Sequence, residues 1–268
     1  MTDFLEQVVA ERRADMVAAR ARTDDAQMRA NAAASPSRGD SFYQQLRFPR
    51  DTVAVIAEVK RVSPALGILA GHVDPAAQAR RYVAAGARAV SVLTEPRHWG
   101  GSIADLAAVR AAVDVPVLAK DVVVDPYQVY EARAAGADAV LLIAEALDDA
   151  TLKSLVELVE RLGMTALVEA HDVLAFGRAV ACGTRVVGVN ARDLRRPSVI
   201  DVGRVRQLQA FARRLQILVA ESGISSADDV RLLPARVDAV LVGAALMRAD
   251  DPAPLIHAIA SVKRTVSV

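Results

Sequence analysis

The chain has 268 residues, of which 53% are hydrophobic, and its 33 Lys and Arg residues nearly balance its 32 Asp and Glu residues. This length and composition suit a single α/β domain with a large buried core, and the net charge of +1 gives no general field that would attract nucleic acid or an anionic membrane. We therefore expect neither nucleic acid nor a membrane as a partner, and we expect any anion to be bound locally.

The N-terminal region carries acidic side chains and lacks the apolar segment of a signal peptide. No run of eighteen apolar residues, the length of a membrane-spanning helix, occurs in the chain. The single cysteine, Cys182, excludes an internal disulfide and fits a reducing compartment. The sequence thus predicts a cytoplasmic protein in which Cys182 packs in the core.

Residues 1–50 are predicted to form an N-terminal helical extension. Residues 4–22 have helical character with an arginine-rich polar face, and the segment NAAASPSRGDS (31–41) has the composition of a flexible link. Two interpretations of the extension stay open at this point. It is either a solvated additional helix or a segment that covers one mouth of the following domain and shapes its site.

From residue 51 onward the sequence repeats a helix end, a glycine and a β-rich run. Gly86, Gly136 and Gly183 occupy equivalent places about fifty residues apart, each suited to a left-handed helix stop. A fourth copy at 232–245 lacks the glycine but keeps the strand. One further strand lies between consecutive copies, and another precedes the first copy, so the repeats predict eight strands.

These strands alternate with helical segments, several of which begin with Asp, Ser or Pro. The strands are expected at 53–59, 88–94, 115–120, 138–143, 164–169, 185–190, 216–221 and 238–243. Eight βα units predict an α/β fold of the TIM (β/α)8 barrel type over 51–268. The alternative is a doubly wound open sheet, but its glycine-rich G-x-G-x-x-G turn is absent.

Five apolar runs end in polar residues. Surface strands, in contrast, alternate apolar and polar residues along their whole length. Because the working residues of such barrels lie at the carboxyl ends of the strands, these ends predict an active site. Lysines and carboxylates in one enclosed volume shift each other's pKa values and become available for proton transfer. The alternative is a structural salt-bridge network. The polar ends are Glu58 with Lys60, Lys120, Glu169, Asn190 and Glu221.

Small residues follow the last two predicted strands: Ser222 and Gly223 after one, Gly243 and Ala244 after the other. Glycine lets backbone N–H groups approach an anion, and loops at this place in a barrel commonly hold phosphate. The ordinary alternative is a pair of simple turns. If the loops do bind an anion, the substrate is phosphorylated.

Motifs along residues 50–250 resemble the indole-3-glycerol-phosphate synthase family. The segments that carry the resemblance are IAEVKRVSP, LTE with GGS, LAKDVVVDPYQVYEARAAGADAVLLI, ALVEAHD, VGVNARDL, VAESGIS and VGAALMR. Members of the family are cofactor-free TIM barrels. They close the indole ring of 1-(2-carboxyphenylamino)-1-deoxyribulose 5-phosphate with loss of carbon dioxide and water. The resemblance implies this activity, a phosphorylated anilino-sugar substrate, and neither a cofactor nor a metal.

The resemblance also implies roles for individual residues. Lys120 would be the general acid for ring closure and Glu169 the main partner in dehydration, while Glu58 and Lys60 would share proton transfer and positioning. The other implied contacts are Asn190, Glu221 and Ser222 at the sugar, Ser63 and Arg192 at the carboxylate end, Trp99 and Val122 at the aryl ring, and Lys60, Gly223, Gly243 and Ala244 at the phosphate.

The chain departs from the family pattern at the two residues that the resemblance places beside the aryl ring. Val122 stands where an aromatic residue is common, and Trp99 stands where Phe is usual. Either a compensated repacking or a related substrate would explain this exchange. Three functions therefore stay open: the synthase, another phosphate-binding barrel enzyme such as a sugar-phosphate isomerase or a specialised-metabolism paralogue, and a catalytically silent barrel. We expect a monomer or a weak homo-oligomer.

Overall fold

Eight parallel strands close into a barrel in the computed structural model, which describes residues 3–48 and 51–264. In chain order the strands are β1 (Ala54–Val59), β2 (Val62–Ser63), β3 (Gly67–Ile68), β4 (Ala89–Leu93), β5 (Val117–Lys120), β6 (Ala139–Ile143), β7 (Thr165–Ala170), β8 (Val186–Asn190), β9 (Ile217–Glu221) and β10 (Ala239–Val242). Strands β1 and β4 to β10 form the barrel, and β10 pairs with β1 to close it. The predicted TIM barrel is confirmed, and each predicted strand end lies within two residues of the observed one.

Strands β2 and β3 form a short antiparallel hairpin between β1 and the following helix. The helices are α1 (Phe4–Arg22), α2 (Asp25–Ala34), α3 (Ser41–Arg47), α4 (Pro75–Ala84), α5 (Ile103–Ala112), α6 (Pro126–Ala134), α7 (Asp149–Arg161), α8 (Val173–Ala181), α9 (Arg204–Leu208), α10 (Ala227–Arg231), α11 (Ala244–Arg248) and α12 (Ala253–Ala260). No helix in the described ranges is both long and apolar enough to span a membrane.

The repeat signal has a simple local cause. Gly86, Gly136 and Gly183 have φ angles of 96°, 86° and 99°, so each takes the left-handed conformation that follows a helix end. Helices α4 and α6 begin with proline after an aspartate whose side chain accepts a backbone N–H of the first turn. These stops and starts set the length of each βα unit.

Alternate residues of the strands divide the core into two layers. One cluster, which includes Ile56, Leu118 and Leu167, fills the barrel interior. The other cluster, which includes Val90 and Val168, packs the outer face of the barrel against its helices. Strands buried on both faces in this way are apolar along their length, which leaves their ends as the places where polar groups meet a cavity.

The N-terminal extension is not a solvated helix. Leu5, Val8 and Val9 of α1 belong to the same buried cluster as the barrel interior. Phe42 and Leu46 of α3 join this cluster too. The extension therefore adds apolar surface to the barrel core.

The prediction of a flexible link at 31–41 is wrong in its first part. Residues 31–34 complete α2, because Asp24 caps the helix and Met28 and Ala32 are buried. The alanine-rich composition that suggested a link is also strongly helix-forming. The predicted boundary between extension and barrel at residue 50 lies outside the described residues.

Candidate active site

A cavity opens at the carboxyl ends of the barrel strands, and every residue predicted for the site lines it. The strand ends converge there because parallel strands in a closed barrel present their carboxyl ends on one side. The predicted residues that line the cavity are Glu58, Lys60, Ser63, Trp99, Lys120, Val122, Glu169, Asn190, Arg192, Glu221, Ser222, Gly223, Gly243 and Ala244. The structure thus brings them together, while their individual roles stay predictions.

Lys120 ends β5 and projects its ammonium between two buried carboxyl groups. The Nζ atom lies 3.3 Å from Glu169 Oε2 and 3.6 Å from Glu221 Oε2. Both glutamates are 1% exposed, so water screens these charges little. The arrangement holds the ammonium beside two carboxyl groups in the cavity lining.

Burial and charge act in opposite directions on these groups. Burial lowers the pKa of Lys120, but Glu169, Glu221 and Glu58 outweigh it and raise the pKa above the usual lysine range. Burial raises the pKa of Glu221 well above its ordinary value; Glu169 adds to this shift and Lys120 opposes it. Lys120 is therefore a charged acid at neutral pH, and Glu221 retains its proton above the usual carboxyl range.

Asn190, at the end of β8, connects Glu169 to the loop after β9. Its Nδ2 donates to Glu169 Oε1 at 3.3 Å, and its Oδ1 accepts from Ser222 Oγ at 2.8 Å and from the Arg192 backbone N–H at 3.0 Å. The Asn190 carbonyl oxygen is 2.8 Å from His171 Nδ1. These contacts fix the amide and with it the orientation of Glu169.

Glu58 and Lys60 form an ion pair at the end of β1, with 2.5 Å between Oε1 and Nζ. A Cβ added at Gly243 would overlap Glu58 Oε1 and lie 3.2 Å from Lys60 Nζ. A Cβ added at Gly188 would likewise overlap Glu221 Oε1. Both glycines thus make room for glutamate side chains of neighbouring strands.

The loop after β9 has an unusual backbone. Ser222 has a φ of 68° and Gly223 a φ of 75°, so two successive residues are left-handed, and the first of them is not glycine. A non-glycine residue held in this conformation is strained and is typical of functional sites. Gly243 precedes α11, which starts at Ala244. Both loops and Lys60 line the cavity.

Part of the cavity lining is apolar. Trp99, Val122, Leu194 and Pro197 belong to this apolar wall. The Phe4 ring of α1 packs against Trp99 with 5.9 Å between centroids, so the extension supports this wall. The interpretation in which the extension covers a mouth and shapes the site is the one that the contacts favour.

Two buried acids at the cavity were missed by the sequence analysis. Glu95 is 1% exposed, and its carboxylate accepts the backbone N–H groups of Arg97, His98 and Trp99. Asp121 is 8% exposed and follows Lys120 directly. Glu95 is the second residue after β4, in LTE, and Asp121 is the first after β5, in LAKD. An acidic residue so close to the end of an apolar strand is the signal that could have found them.

Glu169, His171 and Asp172 lie close together in the sequence. Within 3–48 and 51–264, no three His, Cys, Asp or Glu side chains are grouped so that they could hold a metal ion. The His171 ring instead faces the Asn190 carbonyl, and Asp172 caps α8.

Comparisons with known proteins agree with the geometry. An indole-3-glycerol phosphate synthase from Beutenbergia cavernae is 51% identical over 249 residues, which cover 92% of this chain and 91% of the relative. One from a Nocardioides species is 53% identical over 213 residues, covering 78% and 81%. The solved 3-hexulose-6-phosphate synthase of Salmonella typhimurium, with a TM-score of 0.61 and 19% identity, covers 78% of this chain and 97% of its own, and shows the fold alone. The family model of indole-3-glycerol phosphate synthase matches residues 5–259, and the chain belongs to that family.

Proposed function

We propose that this chain closes the indole ring of 1-(2-carboxyphenylamino)-1-deoxyribulose 5-phosphate and releases carbon dioxide and water, leaving indole-3-glycerol phosphate. Family membership supports this activity. The observation that carries the proposal is the position of the Lys120 ammonium between Glu169 and Glu221, in a cavity that also contains the two glycine loops.

Ring closure needs an acid. The aryl carbon that bears the carboxylate attacks the ketone carbon, a carbon–carbon bond forms, and negative charge develops on the ketone oxygen. An ammonium placed at that oxygen stabilises the charge and donates a proton. Lys120 is suited to this step because its raised pKa keeps it charged at neutral pH. Glu58 and Lys60 assist in positioning and proton transfer from the end of β1.

Loss of carbon dioxide needs an electron acceptor, and the substrate's own nitrogen serves as one without an external cofactor. The attack leaves a positive charge on the ring nitrogen, and the electrons of the breaking carbon–carboxylate bond neutralise it. Arg192 and Ser63, which line the cavity, hold the carboxylate end before this step. Burial lowers the pKa of Arg192, but an arginine stays cationic far above neutral pH.

Dehydration converts the closed ring into an indole. The hydroxyl group made in the first step leaves with one added proton, and a ring proton must be accepted by a base. Glu169 is the candidate base because Lys120 and the Asn190 amide hold its two oxygens in place. One hydroxyl and one proton leave as water, so no oxidant or reductant is required.

The phosphate is assigned to Lys60 and the loops of Gly223, Gly243 and Ala244. Backbone N–H groups with little side-chain cover can approach an anion closely, and Lys60 adds a positive charge. Glu221 and Ser222 are assigned to the sugar, and Trp99 and Val122 to the aryl ring.

The test is incubation of the purified protein with the anilino-deoxyribulose phosphate while indole fluorescence and released carbon dioxide are measured together. The synthase yields both in equal amounts. A sugar-phosphate isomerase would release no carbon dioxide, and a catalytically silent barrel would change nothing. A cytoplasmic location and a monomeric or weakly associating state stay predictions.

A further inference from the structure

Helix α1 brings a buried arginine to the carboxyl end of the barrel. Arg12 is 5% exposed, and its Nε and Nη2 atoms donate to the two carboxylate oxygens of Asp121, both at 2.9 Å. A third bond joins Nη1 to Asp15 Oδ2 at 3.0 Å. Burying an ion pair costs desolvation that close geometry only just repays, so such a pair is weak evidence for a purely stabilising role.

Asp121 joins three parts of the structure. Besides Arg12, its carboxylate accepts the Val122 backbone N–H at 2.7 Å and Thr94 Oγ1 at 2.8 Å. The Thr94 backbone N–H in turn donates to the Lys120 carbonyl at 3.0 Å. The ends of β4 and β5 and helix α1 therefore meet at one carboxylate. The residues on either side of it in sequence, Lys120 and Val122, both line the cavity.

We propose that Arg12 is a positioning residue of the active site, acting through Asp121 to hold the turn that carries Lys120 and Val122. This inference rests on the proposed function of Lys120 as the general acid. Arg12 does not line the cavity, and its effect on Lys120 passes through its hydrogen bonds to Asp121. A misplacement of about 1 Å, even from a change far from the chemistry, can cost about a hundredfold in rate, so loss of this arrangement is measurable.

Charge gives the role a distinct signature. Asp121 faces Arg12 from α1, Glu95 from the loop after β4 and Glu131 from α6, and it adjoins Lys120. Burial raises the pKa of Asp121, and Arg12 opposes the rise. Without Arg12 the pKa rises further, and a protonated Asp121 loses acceptor capacity. Activity of such a variant therefore falls as the pH falls through the raised pKa.

The experiment compares Arg12→Leu with Arg20→Leu on the same helix. Arg20 donates to both oxygens of Asp125, at 2.7 and 3.1 Å, but its side chain is 35% exposed and it does not line the cavity. We expect Arg12→Leu to lower kcat by about 10- to 100-fold and to shift the acidic limb of the kcat profile to higher pH. Arg20→Leu should change neither kcat nor the acidic limb of its pH profile.

Each outcome decides the question. Equal losses in Arg12→Leu and Arg20→Leu, or a loss without any shift in the pH profile, would assign Arg12 a structural role and overturn the proposal. If Arg12→Leu does not fold, Arg12→Lys replaces it, since lysine keeps the charge but cannot form the two parallel bonds. A wild-type kcat in folded Arg12→Lys also overturns the proposal. Absence of product with the wild-type protein would instead refute the proposed function.

Discussion

Replacing Lys120 with methionine tests the centre of the proposed mechanism. Methionine keeps an unbranched side chain in the cavity lining but removes the ammonium. That ammonium lies 3.3 Å from Glu169 and 3.6 Å from Glu221, and both carboxyl groups are 1% exposed. The change therefore removes the proton donor and leaves two buried acids without their cation.

The effect on rate and the effect on stability are separable. A positioned general acid contributes about 10²- to 10⁴-fold, so kcat should fall by at least about a hundredfold. Removing one partner of a buried ion pair costs about 3 to 5 kcal/mol while the other remains charged. Glu221, whose pKa is raised by burial, can avoid part of this cost by keeping its proton in the folded state.

The sign of the pH dependence follows from that protonation. A carboxyl whose pKa is raised on folding binds more protons in the folded chain than in the unfolded chain, so stability falls as pH rises. Lys120→Met should therefore be close to wild type in unfolding free energy below the unfolded pKa of about 4.3 and progressively less stable above it. Activity, in contrast, should be low at every pH at which the variant is folded.

The assay is product formation by indole fluorescence across the pH range, with urea unfolding of the same samples. The control is Lys153→Met, which replaces an exposed lysine of α7 and should change neither quantity. A folded Lys120→Met variant with near-normal kcat would remove Lys120 from the mechanism. A stability difference from wild type that does not grow with pH would contradict the inferred charge arrangement.

The other predictions concern the buried acid, the glycine contact, the aryl wall and metal dependence. Glu221→Gln should gain stability over wild type by about 1.4 kcal/mol for each pH unit above about pH 4.3, up to the raised pKa of Glu221. The reason is that the folded wild-type protein must keep a proton on Glu221 over this pH range. A stability difference in urea unfolding that stays constant with pH would contradict this. Gly243→Ala should lower kcat/KM by about tenfold or more, because the added methyl group overlaps the Glu58 carboxylate and such overpacking costs about 1 to 3 kcal/mol. The control Gly177→Ala, which has open space around its Cβ, should leave kcat/KM unchanged. Val122→Phe should raise KM, and adding Trp99→Phe should restore it; strictly additive effects would show that the two side chains do not share one volume. Activity should survive exhaustive chelation, and a loss that one added metal ion reverses would overturn that expectation.

The barrel was predictable from sequence because its signals are local. Gly86, Gly136 and Gly183 stop helices where only a left-handed residue fits, and the apolar runs between them are long enough only for buried strands. Closure of the barrel then places all strand ends on one side. This is why Lys120 and Glu169, 49 positions apart, could be assigned to one site before any contact was known.

What sequence could not decide depends on contacts between distant segments. Whether the N-terminal helix is solvated or covers the barrel is set by long-range contacts, such as the burial of Val8 in the barrel cluster and the Arg12–Asp121 pair across 109 positions, which no local pattern encodes. The raised pKa of Glu221 likewise requires its burial and the nearness of Glu169. The amino-acid order determines which chemical groups stand at the strand ends, because helix stops and strand periodicity are local. Only the tertiary structure decides which of those groups are buried away from water, paired or held in place, because their burial and protonation depend on what packs against them.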